Sequence, residues 1–272
     1  MRYLHYFLIC CSLCFIMYSC TDNNNTKSPT EIPNDNDSNG NDNGNQAEAP
    51  LFVNSIVSTN IDFITASDLD TYDTIQFVGL DDKEMPDSRN NQLFDTNTFI
   101  FNVTFTSGSD VEIWAHSSFG TVTAAQNYAE KLTSRLGKLP LFMRNGMSHV
   151  VLHNGDAGAF AESEANFFVI YSDNMDVRIA NNDLEETVFH ETIHATLDAI
   201  YLNSNGWIQA QQQDNTFITQ YARDNSDKED MAETALFVYT MEKHPGRLSQ
   251  DIETWVLNNI PNRYSFLETI FQ

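Results

Sequence analysis

No cysteine follows Cys20 in this 272-residue chain; the four present, Cys10, Cys11, Cys14 and Cys20, all fall within the first twenty positions. A secreted fold stapled by disulfides spreads its cysteines through the body. That architecture is excluded, and a packed core must hold the fold. Basic residues are scarce as well: 14 Lys and Arg stand against 38 Asp and Glu, for a formal net charge of -24. A chain so acidic repels phosphate backbones and anionic headgroups, which removes nucleic acid and charged lipid surfaces from the expected partners. No internal repeat stands out. What is present is a globular composition, 41% hydrophobic and 12% aromatic, with enough chain for one large domain or two modest ones.

The N-terminus reads as an address. "MRYLHYFLICCSLCFIMYSC" carries one charge at Arg2, an apolar run to Met17, and the small residue Ser19 just before Cys20. The run is short for a membrane span, which needs about 20 apolar residues. It resembles a bacterial lipoprotein signal, in which the cysteine after the cut is acylated. That resemblance implies a leader over 1–19 and a lipid on Cys20. It also implies anchoring, through the lipid alone, to the outer membrane or cell surface of a Gram-negative bacterium. An uncleaved anchor and an ordinary cleaved signal are the alternatives. Residues 21–50, rich in Asn, Asp, Gly and Pro, hold too little apolar surface to fold, so 20–50 is expected to be a polar tether. "NDNDSNGNDNGN" lacks the apolar frame and closing Glu of a calcium-binding EF-hand loop.

The body, 51–272, is expected to be α+β. From 51 to about 116 the pattern is strand-like. In 98–106, "TFIFNVTFT", Phe99, Phe101, Val103 and Phe105 alternate with polar neighbours. "DVEIWAH" follows across the turn "SGSD", predicting a hairpin. Residues 121–137 predict a helix with Ala125, Tyr128, Ala129, Leu132 and Leu136 on one face and Gly137 at its end. Residues 148–154 and 166–173 read as strands. From Asp183 onward the pattern is nearly all helical, and strands first with helices afterwards argue for α+β.

Within 181–202, "NNDLEETVFHETIHATLDAIYL", Asn182 is a fair N-cap and Glu185 completes a box-like start. Good helix formers continue to Leu202 without Pro or Gly. His190 and His194 are then four apart on one face, a spacing that lets both imidazoles reach one ion at about 2.0–2.1 Å. Glu191 lies one step round the helix, beside the ion, where it can take a proton from an attacking water and hand it to a leaving group. The plainer reading is a helix with two partly buried histidines bonded to backbone. Zinc held by two histidines keeps a third protein ligand and an open position. Downstream, in "FITQYARDNSDKEDMAETALFVYTM", Asp227 or Ser226 can cap a helix on which Glu229 and Glu233 share a face. Glu229 would then reach the metal, and Glu233 could accept the N–H of His190 or His194 and orient the ring.

"HETIH" followed by "EDMAE" resembles the gluzincin arrangement of zinc metallopeptidases, close to the anthrax-lethal-factor layout. The resemblance implies a zincin-like fold and a Zn2+ held by His190, His194 and Glu229. It further implies Glu191 as general base, Tyr221 as oxyanion donor, Glu233 as support behind the ligands, and a peptide or protein substrate. More broadly, "GKLPLFMRNGMSHVVLHNGDAGAF", "LEETVFHETIHATLD", "GWIQAQQQDNTFITQYARDNSDKEDMAE" and "IPNRYSF" resemble a family of zinc-binding metallopeptidase lipoproteins of Gram-negative bacteria. That likeness runs from about residue 60 to the end and makes 117–272 the catalytic core. Where the family pattern has glycines after Phe160, this chain has "AESEA", which bears on substrate fit. In zincins the edge strand before the metal helix pairs with substrate backbone, and 166–173 is the stretch expected to do so.

Other residues carry less. Asp198, four past His194, is expected to bond a nearby ring or backbone N–H rather than a metal. His149 and His153 share one face of a strand and read as ordinary histidines. Trp207 with Tyr201 reads as packing. Two rival functions remain from the residues alone: a surface binding protein on a zincin scaffold, and a zinc-dependent hydrolase of a non-peptide amide.

Overall fold

The computed structural model describes residues 48–272. The leader, Cys20 and all but the last three residues of the tether lie outside the described residues. No helix among the described residues is long and apolar enough to cross a membrane. The architecture is mixed α+β.

Six strands form one mixed sheet in the order β1-β2-β3-β4-β6-β5. β1 (Tyr72–Glu84), β2 (Phe94–Phe105) and β3 (Val111–Ala115) make an antiparallel meander, including the hairpin across "SGSD". α1 (Val122–Gly137) then crosses over, capped by the Thr121 hydroxyl on Ala124 N–H, and buries Ala125, Ala129, Leu132 and Leu136. It delivers the chain, through the short α2 (Leu141–Gly146), to β4 (His149–His153), which is parallel to β3. β5 (Phe160–Glu162) and β6 (Phe167–Tyr171) follow. β6 runs parallel to β4, and β5 pairs antiparallel on its outer side. Every residue of β4 and β6 is buried, as expected of central strands covered on both faces.

One sheet face carries Val150, Leu152, Phe168 and Ile170 into the main core, against α1 and the helices that follow β6. The other carries Val151, Phe160, Phe167, Val169 and Tyr171 into a smaller cluster with Met85. His149 and His153 belong to this second face. The His149 ring is stacked between Trp114 and Phe167, at centroid distances of 3.5 and 4.4 Å. His153 donates from Nε2 to the Pro86 carbonyl at 3.0 Å. Burial pushes their pKa values down to about 3 and about 4, so both are neutral packing groups.

After β6 the chain is helical: α3 (Ser172–Asn181), α4 (Leu184–Leu197), α5 (Asn205–Gln213), α6 (Gln220–Asp224), α7 (Asp230–Lys243), α8 (Gln250–Asn259) and α9 (Pro261–Phe271). Several local expectations are corrected. Asn182 is not the N-cap of α4; it takes the left-handed conformation (φ 61°) that ends α3, which Asn tolerates. Asp183 stands at the cap, with its carboxylate turned to Arg178 at 3.5 Å. The α-helix stops at Leu197, and Asp198–Leu202 forms a π turn. α7 begins at Asp230 with Glu229 at its cap, because a turn accepted by the Asn225 carbonyl occupies the residues where Ser226 or Asp227 would have capped. The strand expected to pair with substrate is interior: β6 has neighbours on both sides, and the edge is the three-residue β5.

The largest departure is 51–71. It forms no strand of the sheet, only an isolated bridge from Phe52 to Thr219 and a 3-10 turn over Ile56–Ser58. Its apolar residues pack against the helices instead. Phe52 and Phe63 both meet Phe237 of α7, at 5.6 and 4.8 Å. Glu186 of α4 accepts the N–H groups of Phe63 and Ile64 at 3.1 and 3.3 Å.

Burial raises the Glu186 pKa from 4.5 to about 7. The folded protein therefore keeps a proton that the unfolded chain releases, and stability falls as pH rises through that window. Glu186→Gln removes this dependence while keeping an acceptor for both N–H groups. In urea unfolding, the stability of the variant relative to the parent is expected to rise by about 2–3 kcal/mol between pH 5 and pH 8. A difference that stays flat across that range would refute the assignment.

Candidate metal centre

α4 runs through the interior: every residue from Leu184 to Leu197 except Glu185 is buried. Polar side chains in such a helix are costly unless each has a partner. The threonines bond back along the helix, Thr187 to Asp183, Thr192 to Val188 and Thr196 to Thr192, at 2.9, 2.7 and 2.6 Å. Glu186 has the N–H groups of Phe63 and Ile64. Of the remaining polar groups, His190 and His194 meet Glu229 at the start of α7, which is buried from Asp230 through Thr240, and Glu191 is buried next to His190.

Three atoms converge there. His190 Nε2 and His194 Nε2 are 3.1 Å apart, and each is 3.3 Å from Glu229 Oε2. A tetrahedral ion with bonds of about 2.0–2.1 Å separates its ligands by about 3.3–3.4 Å, which these edges match. His190, His194 and Glu229 can hold a metal ion, and all three are buried.

The far side of each ring fits the same purpose. His194 Nδ1 lies 2.7 Å from Asp198 Oδ2, a contact in which Nδ1 donates, and this leaves Nε2 as the atom free to face a metal. Glu233 faces His190 rather than His194, with Oε1 3.6 Å from His190 Nδ1, a charge contact longer than a hydrogen bond. With both Nδ1 atoms turned to carboxylates, two ring lone pairs and a carboxylate oxygen point at one spot. A metal cation, or a proton on either ring, relieves that arrangement.

The electrostatics agree. Burial opposes charging either ring, but Glu229 lifts the His190 pKa, helped by Glu191 and Glu233, and Asp198 and Glu229 lift that of His194 well above its ordinary value. Burial likewise works to raise Glu229, and the two histidines outweigh it and hold the carboxylate below its usual range. Carboxylates arranged to keep protons on these rings also attract a divalent cation in their place.

Glu191 is buried beside His190, and Tyr221 lies partly buried on α6. α6 is joined to the centre through its cap: the Thr219 hydroxyl accepts from Ala222 N–H and donates to Glu233 Oε2 at 2.8 Å. Behind Glu229, Asp230 is bound by Arg263 Nε of α9 at 2.7 Å, and Arg263 also pairs with Asp214 at 3.1 Å. These supports, and Ser55 and Ile56 on Glu233, were not read from the sequence. An isolated buried Arg or a lone serine 178 positions from its partner carries no periodic signal. No family model, no curated protein and no solved structure matches the chain.

The protein is expected to take up one divalent ion per chain and to release protons as it does so. Because both rings hold protons more tightly than free histidine, zinc affinity should fall as pH drops from 8 to 6, by about tenfold per unit for each proton displaced. Calorimetry in buffers of different ionisation heat reads both effects. His194→Ala and Glu229→Ala should abolish the uptake; a variant that still holds stoichiometric metal would remove that residue from the centre.

Proposed function

We propose that the protein is a zinc-dependent metallopeptidase with a zincin-like fold of gluzincin type. The observation that carries this reading is the convergence of His190 Nε2, His194 Nε2 and Glu229 Oε2 within 3.3 Å of one another, with Glu191 buried alongside. A binding protein has no use for a buried glutamate next to two metal-ligating histidines.

Zn2+ held there by His190, His194 and Glu229 would supply a Lewis acid toward a carbonyl oxygen and a water. Glu191 removes the proton as the water attacks the scissile carbonyl, then delivers it to the leaving amine. The Tyr221 hydroxyl donates to the developing oxyanion. Asp198 and Glu233 keep the two rings in the required tautomer and orientation. The short edge strand β5, in place of β6, is the stretch that substrate backbone would join. The acidic "ESE" within "AESEA" continues from that edge and bears on which peptides approach. The reading includes export and lipid attachment at Cys20 to the outer membrane or cell surface, which mass spectrometry of the membrane-extracted protein tests directly.

Glu191→Gln should retain metal and lose peptide cleavage by about two orders of magnitude or more. Tyr221→Phe should lower kcat by about 10²-fold with little change in KM. Cleavage that survives Glu191→Gln would end the assignment of the base. A panel of peptides and acylated amino sugars, cut only in the second class, would replace the peptidase with a hydrolase of non-peptide amides. Partner binding that survives Glu191→Gln, with no cleavage of either class, would replace it with a binding protein.

A further inference from the structure

The chain enters the body against the metal centre. The Glu48 carbonyl accepts from Thr216 Oγ1 at 2.5 Å and Arg223 Nη2 at 2.6 Å. Phe52 exchanges backbone hydrogen bonds with Ile218 and Gln220, at 3.1 and 2.8 Å. Three residues on, the Ser55 hydroxyl donates to Glu233 Oε1 at 2.6 Å and the Ile56 N–H donates to Glu233 Oε2 at 2.9 Å. Thr219 completes the set on Oε2. Glu233 is fully buried and is the carboxylate that faces His190 Nδ1. Two of the three donors that fix its plane therefore come from the entering segment, some 180 residues away in sequence.

We propose that this segment is a working part of the metal centre and that Ser55 is a positioning residue. Its hydroxyl, with the Ile56 N–H, holds Glu233 in the orientation that directs His190 Nε2 toward the ion. The inference rests on the reading of His190, His194 and Glu229 as a metal site. The rest of the segment is built to hold that contact in place. Phe52 and Phe63 are clamped on Phe237 of the same helix that carries Glu233, and Glu186, one turn before His190, anchors Phe63 and Ile64. Groups that orient a ligand through hydrogen bonds change metal affinity by about 10–100-fold when removed. A residue acting one step further out, on Glu233, belongs at the lower end.

The test uses the full-length protein with three substitutions. Ser55→Ala deletes the hydroxyl. Ser55→Thr restores it. Thr59→Ala removes a hydroxyl of the same segment that bonds only the local Ile56 carbonyl, at 2.9 Å. Zinc affinity is read by competition with a chromophoric chelator, and ligand geometry by the visible absorption of the Co2+-loaded protein. Ser55→Ala is expected to bind zinc about tenfold more weakly and to shift the Co2+ bands. Ser55→Thr and Thr59→Ala should keep the affinity and spectrum of the parent, which a general loosening of the segment would not allow. Zinc binding by Ser55→Ala as tight as or tighter than the parent, with an unchanged spectrum, overturns the role of Ser55 and leaves the metal centre standing. A parent protein that takes up no metal after repletion overturns both.

Discussion

The imidazole of His190 is the point on which the structure turns. One helical turn of α7 presents Glu229 to its Nε2 and Glu233 to its Nδ1, at 3.3 and 3.6 Å. That grip sets how α4 and α7 cross. α7 is buried from Asp230 through Thr240, and the donors to Glu233, Ser55, Ile56 and Thr219, all come from outside the two helices. The sheet serves the same end at a distance. β5 and β6 pack against α4, and β6 is buried along its whole length.

Buried charge is the recurring cost of this design, and the fold meets it by pairing each group with more than one partner. Arg263 bridges Asp214 and Asp230 with no exposure of its own. In this way α9, the last helix, steadies the residue next to Glu229. Removing one member of such a buried set leaves its partners desolvated and uncompensated. Among the described residues, the first and last segments, 48–64 and 260–271, therefore both bear on the helices that carry His190, His194 and Glu229. This couples the stability of the fold to the geometry of the centre.

Much of this was legible beforehand, for identifiable reasons. The i, i+4 spacing of His190 and His194 on a helix without Pro or Gly, and the same spacing of Glu229 and Glu233, are local patterns that translate directly into shared faces. The alternation in 98–106 and the apolar face of 121–137 are equally local. Cap positions near Asn182 and Asp227 were misplaced because several neighbouring polar residues could serve, and tertiary contacts chose among them: Asp183 is drawn to Arg178, and the 225–229 turn delays α7. The interior place of β6 was hidden because β5 is only three residues long. The role of Ser55 was invisible because its partner lies 178 positions away, and a polar residue in an irregular stretch has no period to reveal it.

The distribution of positive charge has a kinetic consequence. Among the described residues, Arg144, Arg178, Arg263 and Lys138 are buried, and Arg247 is tied to Asp68. Burial also removes carboxylates, among them Asp87, Asp95, Asp230 and Glu233, and the surface keeps the acidic excess that the net charge of -24 expresses. Such a field speeds the arrival of small cations and slows the approach of polyanions, and dissolved salt weakens both effects. Metal would enter this centre readily from dilute solution, whereas an anionic chelator sent to remove it must come in against the repulsion of the whole molecule. Stripping by chelation would then be slowest at low ionic strength and would measure the field around the protein as much as the strength of the bonds to the ion.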